Sequence, residues 1–488
     1  MRTKWSYVLG ALVLAVSTGV TAGYAQGTYG AEPIPGIRSG GSRNVHVMFH
    51  IPRDANHKTS DIVIEQELSR PYVYVGARLV PSGVDIISVK DPTKARTIWQ
   101  WRIENAELHR GAGSLNPIYL KSHGRYYLTD AFQFQAGGPD VDLGAIVWDV
   151  TGLPDTSKIK EVARIYDHEF PGGFHESQSY KHSDGRALLF TQTSGPQADV
   201  WDIDKVVAGG DPKTWLAGRV PIGADASMLG PRREFTPRPG MDSAAIAVAR
   251  ARAAAPPQAT YHDFSIQYDP ANHRDVFYGA GAGGLWLYDV TDLSNIKLLT
   301  SATGVAGVTR GHTFVPDQTG RYGVVETEYQ YAPLRIFDFK PGLDGTVKTI
   351  SRPIGAWIPQ WNSMPHNLQI RWPYVFVSDY EDGMQVFNMM DPTNPYTVAY
   401  YYSCDCPHPQ GAAGQGMSGG EDGTWGVDIR NADGLIVVSD MYAGVWGFKM
   451  DGFDGWNGHQ WGVPNVSNAQ DWDNGPDGAP KPTKVSLR

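Results

Sequence analysis

The sequence predicts an all-β protein, a seven-bladed β-propeller, and three observations lead to it. One pattern recurs seven times: an aromatic or β-branched strand, a Gly-rich or polar turn, and a second strand, as in "YVFVSDYEDGMQVFNMMDPTNP" from Tyr374. Related segments begin at Tyr72, Tyr126, Ala187, Val276, Tyr322 and Leu435. The copies follow one another at roughly fifty to sixty residues, with one gap near ninety, and four-stranded repeats of about this length build propeller blades. The composition agrees: 56 Gly, 15 Trp and 24 Tyr in 488 residues, with only 19% charged, suit a turn-rich β protein and lie far from the disordered class.

The chain opens with Arg2 and Lys4, an apolar stretch from Trp5 to Val16, and small residues up to Ala25. This is the pattern of a signal peptide over residues 1–25, and its apolar part is shorter than the roughly 20 residues a spanning helix needs. The expected destination is the periplasm or the exterior, with no membrane span. Residues 26–450 are expected to form the propeller. "NVHVMFHIP" (44–52) would complete the last blade and close the ring. The long gap holds an insertion, 205–260, whose segment "MDSAAIAVARARAAAPPQ" (241–258) reads as a helix capped by Asp242 or Ser243 and stopped by Pro256-Pro257. It is either a surface insertion or a lid over the blade openings. The tail, 451–488, is rich in Gly, Asp, Asn, Pro and Trp and is expected to be irregular; "DWDNGPDG" (471–478) loosely resembles a calcium loop without the full spacing.

The formal charge is −9, and −11 once the two basic residues of the leader are set aside. That balance disfavours nucleic acid and anionic membrane surfaces as partners. No nucleophile elbow, phosphate loop or dinucleotide fingerprint stands in a suitable context.

A histidine recurs ahead of the innermost strand in four successive blades: His175 in "GFHESQSY", His262 in "TYHDFSIQY", His312 in "RGHTFVP" and His366 in "MPHNLQI". The second blade has a looser match near Asn116, and the seventh shows Trp425. Equivalent positions on innermost strands lie at one height around the channel, so the four should ring one mouth. Neutral imidazole is the commonest protein metal ligand, and such a ring suits a transition metal: zinc, copper, iron or manganese. Glu176 and Asp263 directly follow two of the histidines and could orient neighbouring rings or act as a base. The plainer reading is that each histidine bonds to backbone in a duplicated blade. His123, His182 and His273 also recur, but in turns, where a structural role is expected.

Cys404, Cys406 and His408 alternate in "YYYSCDCPHPQG". In an extended strand they share one face, with the cysteine Cα atoms roughly 6.6 Å apart. That is near the limit for a disulfide, so a reducible disulfide, a reactive pair and a soft-metal thiolate site all stay open.

The repeats "GVDIISVKDPTKA", "GLWLYDVTDLSNIKLL" and "GMQVFNMMDPTNPYTVAYY" resemble those of LVIVD-repeat propeller proteins over about residues 44–450. The same repeat style is similar to the selenium-binding protein/methanethiol oxidase family. That resemblance implies a seven-bladed propeller with histidine-bound copper oxidising small thiols, although a clear copy of that family's cysteine motif is lacking. "YHDFSIQY" is similar to the His-Asp-Phe motif of the carotenoid cleavage oxygenases, which implies an iron-ligand role for His262. These resemblances put copper or iron first, with zinc or manganese behind, and lead to the expectation of an exported metal-dependent oxidoreductase acting on a small molecule; the residues alone would serve a hydrolytic zinc site equally well. The alternative is a non-catalytic propeller that binds a protein or other ligand through aromatic loops carrying Trp357, Trp361, Trp425, Trp456 and Trp461.

Overall fold

Strands such as Tyr374–Asp379 (YVFVSD) and Gly383–Asn388 (GMQVFN) carry β-branched and aromatic side chains on both faces, and nearly all of them are buried. A sheet buried on both faces needs a neighbour on each side, and a ring of blades supplies one for every sheet. In the computed structural model, residues 40–53, 58–78, 81–134, 138–229, 246–247, 250, 259–406, 423–467 and 472–473 are described. They form seven antiparallel sheets, each ordered from an inner to an outer strand. The inner strands are Thr59–Ile64, Ala112–Ser122, Ser177–Lys181, Tyr261–Asp269, Phe314–Pro316, Asn367–Arg371 and Thr424–Arg430. Each touches the next, and the last touches the first, so the ring is closed.

The outermost strand of the seventh blade is Val45–Pro52, paired antiparallel with Gly444–Met450 from Val45↔Met450 to Pro52↔Gly444. Gly40–Gly41 adds a short fifth strand to the sixth blade through Tyr401 and Tyr402. Closure by 44–52 is thus as the sequence pattern predicts.

Two aspartates explain the repeat signature. At the end of the third strand, Asp149 and Asp289 accept from the backbone N–H two residues on, at 3.0 Å each, turning the chain out of the ladder. In the following connection Asp91, Asp155, Asp292 and Asp391 do the same to Thr93, Ser157, Ser294 and Thr393 at 3.0–3.2 Å. Both turns restart a strand at a fixed offset, so the repeat survives while strand residues vary.

The helix expected at 241–258 falls almost wholly outside the described residues, as does the leader. So does the calcium-like loop, except for Trp472 and Asp473. Among the described residues of the tail, Gly458–Trp461 forms a 3₁₀ turn, and Trp472 is buried against the second blade's core. Its neighbour Asp473 pairs with Lys121 at 2.6 Å, at the end of the inner strand Ala112–Ser122 remote from the histidines. Among the described residues no helix is long and apolar enough to cross a membrane.

Candidate metal centre

Side chains on a strand alternate between faces, so a histidine and the acid that follows it should not both reach the channel. A β-bulge resolves this. The register of Tyr261–Asp269 against its partner slips between Tyr261 and Asp263, leaving His262 as the extra residue. Equivalent slips fall between Thr59 and Ile62, Ser114 and Asn116, and Thr424 and Gly426. His262 and Asp263 therefore both line the channel mouth, together with Leu115, His175, Glu176, His312, His366, Asn367 and Trp425. Below, a polar channel section is lined by Asp61, Asn116, Glu176, Asp263, Thr313 and Asn367, then by Gln178, Gln369 and Asp428, with Trp472 beyond. It holds about 750 Å³ not filled by atoms, part of it open to solvent.

The four predicted histidines come together as a chain of rings. Centroids are 4.3 Å apart for His175–His262, 3.8 Å for His262–His312 and 4.9 Å for His312–His366. Trp425 continues the arc, 4.4 Å from His366. Three of the rings have a partner at Nδ1: Gln133 Oε1 for His175 (3.0 Å), the Trp425 carbonyl for His366 (2.7 Å), and the Thr313 hydroxyl for His312 (2.9 Å), with the Glu326 carboxyl close by. A neutral ring donating there turns its Nε2 lone pair inward, which is how outer groups orient metal-binding histidines. Two ring nitrogens, His262 Nδ1 and His312 Nε2, are buried without a hydrogen-bond partner.

The tightest convergence includes a residue that sequence reasoning missed. Ligating atoms of His262, His312 and Glu328 all lie within 4.8 Å of one another. Glu328 Oε2 stands 3.3 Å from His312 Nε2, too poorly aligned for a hydrogen bond. Glu328 lies between the second and third strands of the fifth blade, in "VVETEYQY". Glu326 and Glu328, alternating at the end of an apolar strand, were the available signal. His175 and His366 flank this trio.

Burial sets the protonation states. It drives the His175 pKa down to about 3 and those of His262 and His366 well below the ordinary value, and neighbouring rings and Arg78 or Arg310 add to the effect. His312 is lowered by burial against the opposing pull of Glu328 and Asp263. The rings are therefore neutral at pH 7, the form that binds metal. Burial pushes Asp263 and Asp61 up to about 7, and pushes Glu176 well above the carboxylate range with repulsion from Asp263 and Asp61 behind it. Glu326 is also raised well above its range by burial, and Asp379 by burial together with Asp382 and Glu381.

The remaining candidates lie elsewhere. Cys404 and Cys406 are a disulfide with Cα atoms 5.3 Å apart. The expected 6.6 Å assumed an extended strand, but the strand Tyr396–Tyr402 ends before them and the chain bends. Both sulfurs are thus engaged with each other, which removes them as thiolate ligands; His408 lies outside the described residues. His182 is fully buried, with Nε2 3.1 Å from the Val290 carbonyl. His123 and His273 occupy left-handed turn positions, at φ 47° and 52°. Of the five tryptophans expected in binding loops, Trp357, Trp425 and Trp456 are core residues, and only Trp361 and Trp461 are exposed.

No protein-family model matches the chain, and no curated protein matches it.

Proposed function

We propose that this chain is an exported, periplasmic or secreted enzyme whose channel mouth holds a transition metal and acts on a small molecule. The observation that carries the reading is the meeting of His262, His312 and Glu328 around two buried ring nitrogens that have no other partner. An orphaned buried nitrogen is costly, and two beside a carboxylate form a donor set that a cation completes. Two histidines and one carboxylate favour iron, and the further histidines His175 and His366 keep copper as the runner-up. The bound metal would supply Lewis-acid and redox chemistry at the mouth.

The protein's own groups have definable tasks. Gln133, Thr313 and the Trp425 carbonyl fix ring orientation from behind. Asp263, poised near pH 7 and opening on the same hollow, suits proton transfer, and Glu176 beside it holds a proton in reserve. Oxidation rather than hydrolysis follows from the resemblance to the methanethiol oxidase and carotenoid oxygenase propellers, and the LVIVD-type repeat belongs to the same proposal. The direct test is elemental analysis of protein purified without a histidine tag, beside the double variant His262→Ala/His312→Ala. Near-stoichiometric iron or copper, lost in the variant, supports the reading and directs a screen of thiols and alkenes under O₂. Absence of a transition metal even after reconstitution overturns it and leaves a non-catalytic binding propeller.

A further inference from the structure

Glu328 and Tyr380 come from equivalent connections of adjacent blades, the fifth and sixth, each between a second and a third strand. The Tyr380 hydroxyl donates to Glu328 Oε1 at 2.7 Å, while Oε2 is the oxygen nearer His312. Both residues are held at left-handed φ, 51° for Glu328 and 22° for Tyr380, and Tyr331 in the same fifth-blade connection is at 67°. Side-chain-bearing residues adopt such angles only where the surroundings impose them. Here the imposed backbone aims a carboxylate and a phenol at each other beside the histidines. The Tyr380 ring is fully buried, 4.8 Å from the His366 ring and 6.2 Å from that of Trp425.

We propose that Tyr380 is a positioning residue that occupies one oxygen of Glu328, so that the carboxylate meets the metal through its other oxygen alone. The inference rests on the metal centre proposed above. A carboxylate binding through both oxygens fills two coordination positions; one held by a phenol fills a single position and keeps another open for a small ligand. The clamp joins two blades, so it sets the carboxylate relative to His312 on one side and His366 on the other.

Tyr380→Phe keeps the ring against His366 and Trp425 and removes only the hydroxyl. With Co(II) as the probe metal, the wild-type protein should show the strong visible bands of a low-coordinate site. The variant should show a changed band pattern, as the unclamped carboxylate reorients at the metal, with Co(II) affinity lower by about 10- to 100-fold. A purely structural tyrosine would leave the spectrum unchanged in whatever protein folds. The wild-type protein offers a second readout needing no variant: the infrared carboxylate stretches that shift on Co(II) loading should be widely split, as for one-oxygen binding. Narrow splitting, or a variant with wild-type bands and affinity, overturns the clamp alone. A wild-type protein that takes up no metal overturns both the clamp and the metal centre.

Discussion

Replacing His175 with Gln should flatten part of the acid sensitivity of this fold, by an amount the structure fixes. Burial depresses the His175 pKa to about 3, against 6.5 when unfolded. Between those values the unfolded chain binds a proton that the folded one refuses, so stability is fully present above pH 6.5 and is lost as pH falls. The slope is about 1.4 kcal/mol per pH unit, giving a loss of about 2 kcal/mol at pH 5.0. The ring keeps a partial opening to the mouth, which trims this toward about 1 kcal/mol. Total stability would mislead, because Asp61 and Asp263, raised to about 7, bind protons more tightly when folded and gain stability over the same interval. The quantity to read is the difference between wild type and His175→Gln in urea unfolding of the metal-free protein at pH 7.5, 6.5, 5.5 and 5.0. It should be constant above pH 6.5 and then shift in favour of the variant. A difference that stays flat to pH 5.0, or moves the other way, would mean that the ring carries a proton in the folded state, and the account of a neutral histidine arc would fail. The same neutrality means that folded protein need release no proton from His175, His262 or His366 to take up metal.

Two further outcomes test the frame around the site. Gly426 faces Asp61 so closely that an added Cβ would overlap Asp61 Oδ1, the oxygen held by the Ile62 N–H at 2.8 Å; Gly426→Ala should cost about 2–4 kcal/mol in denaturant unfolding, and a neutral result would refute the described seam between the seventh and first blades. Asp317, raised by burial to about 6 and remote from the histidines, stabilises the fold below pH 4 and loses that contribution as pH rises through 6; Asp317→Asn should remove about 2 kcal/mol of this decline, measured as the wild-type-minus-variant difference between pH 4 and 7.

Much of the architecture was legible because each blade repeats its own instructions. The aspartates that end third strands and restart fourth strands are local devices, visible as "WDVTG" or "YDVTD" without any knowledge of partners. The histidine arc was legible for the same reason: a repeated offset before a strand becomes a common height around the ring. What escaped notice depends on departures from strand period. Glu328 reaches the histidines because its backbone turns left-handed after the strand Tyr322–Val325, and no periodicity encodes that. The bulge at His262 places consecutive residues on one surface, where alternation would have separated them. Cys404 and Cys406 pair because the chain leaves the strand just before them. The tryptophans misled because large aromatics near loops also fill the wedges between blades, as Trp357 does by stacking on Phe387 at 4.5 Å.

The pairing of Val45–Pro52 with Gly444–Met450 has a consequence for how the chain is made. Roughly 400 residues separate the partners, and bringing such distant points together costs about 5 kcal/mol of closure entropy, against about 2 kcal/mol for a loop of ten. The strand that seals the ring is translated long before its partner. Until then the nascent chain carries an unpaired strand at each end, the kind of edge on which proteins aggregate. A chain halted before Gly444 cannot bury either one, so the ring closes only after the third strand of the seventh blade has been made.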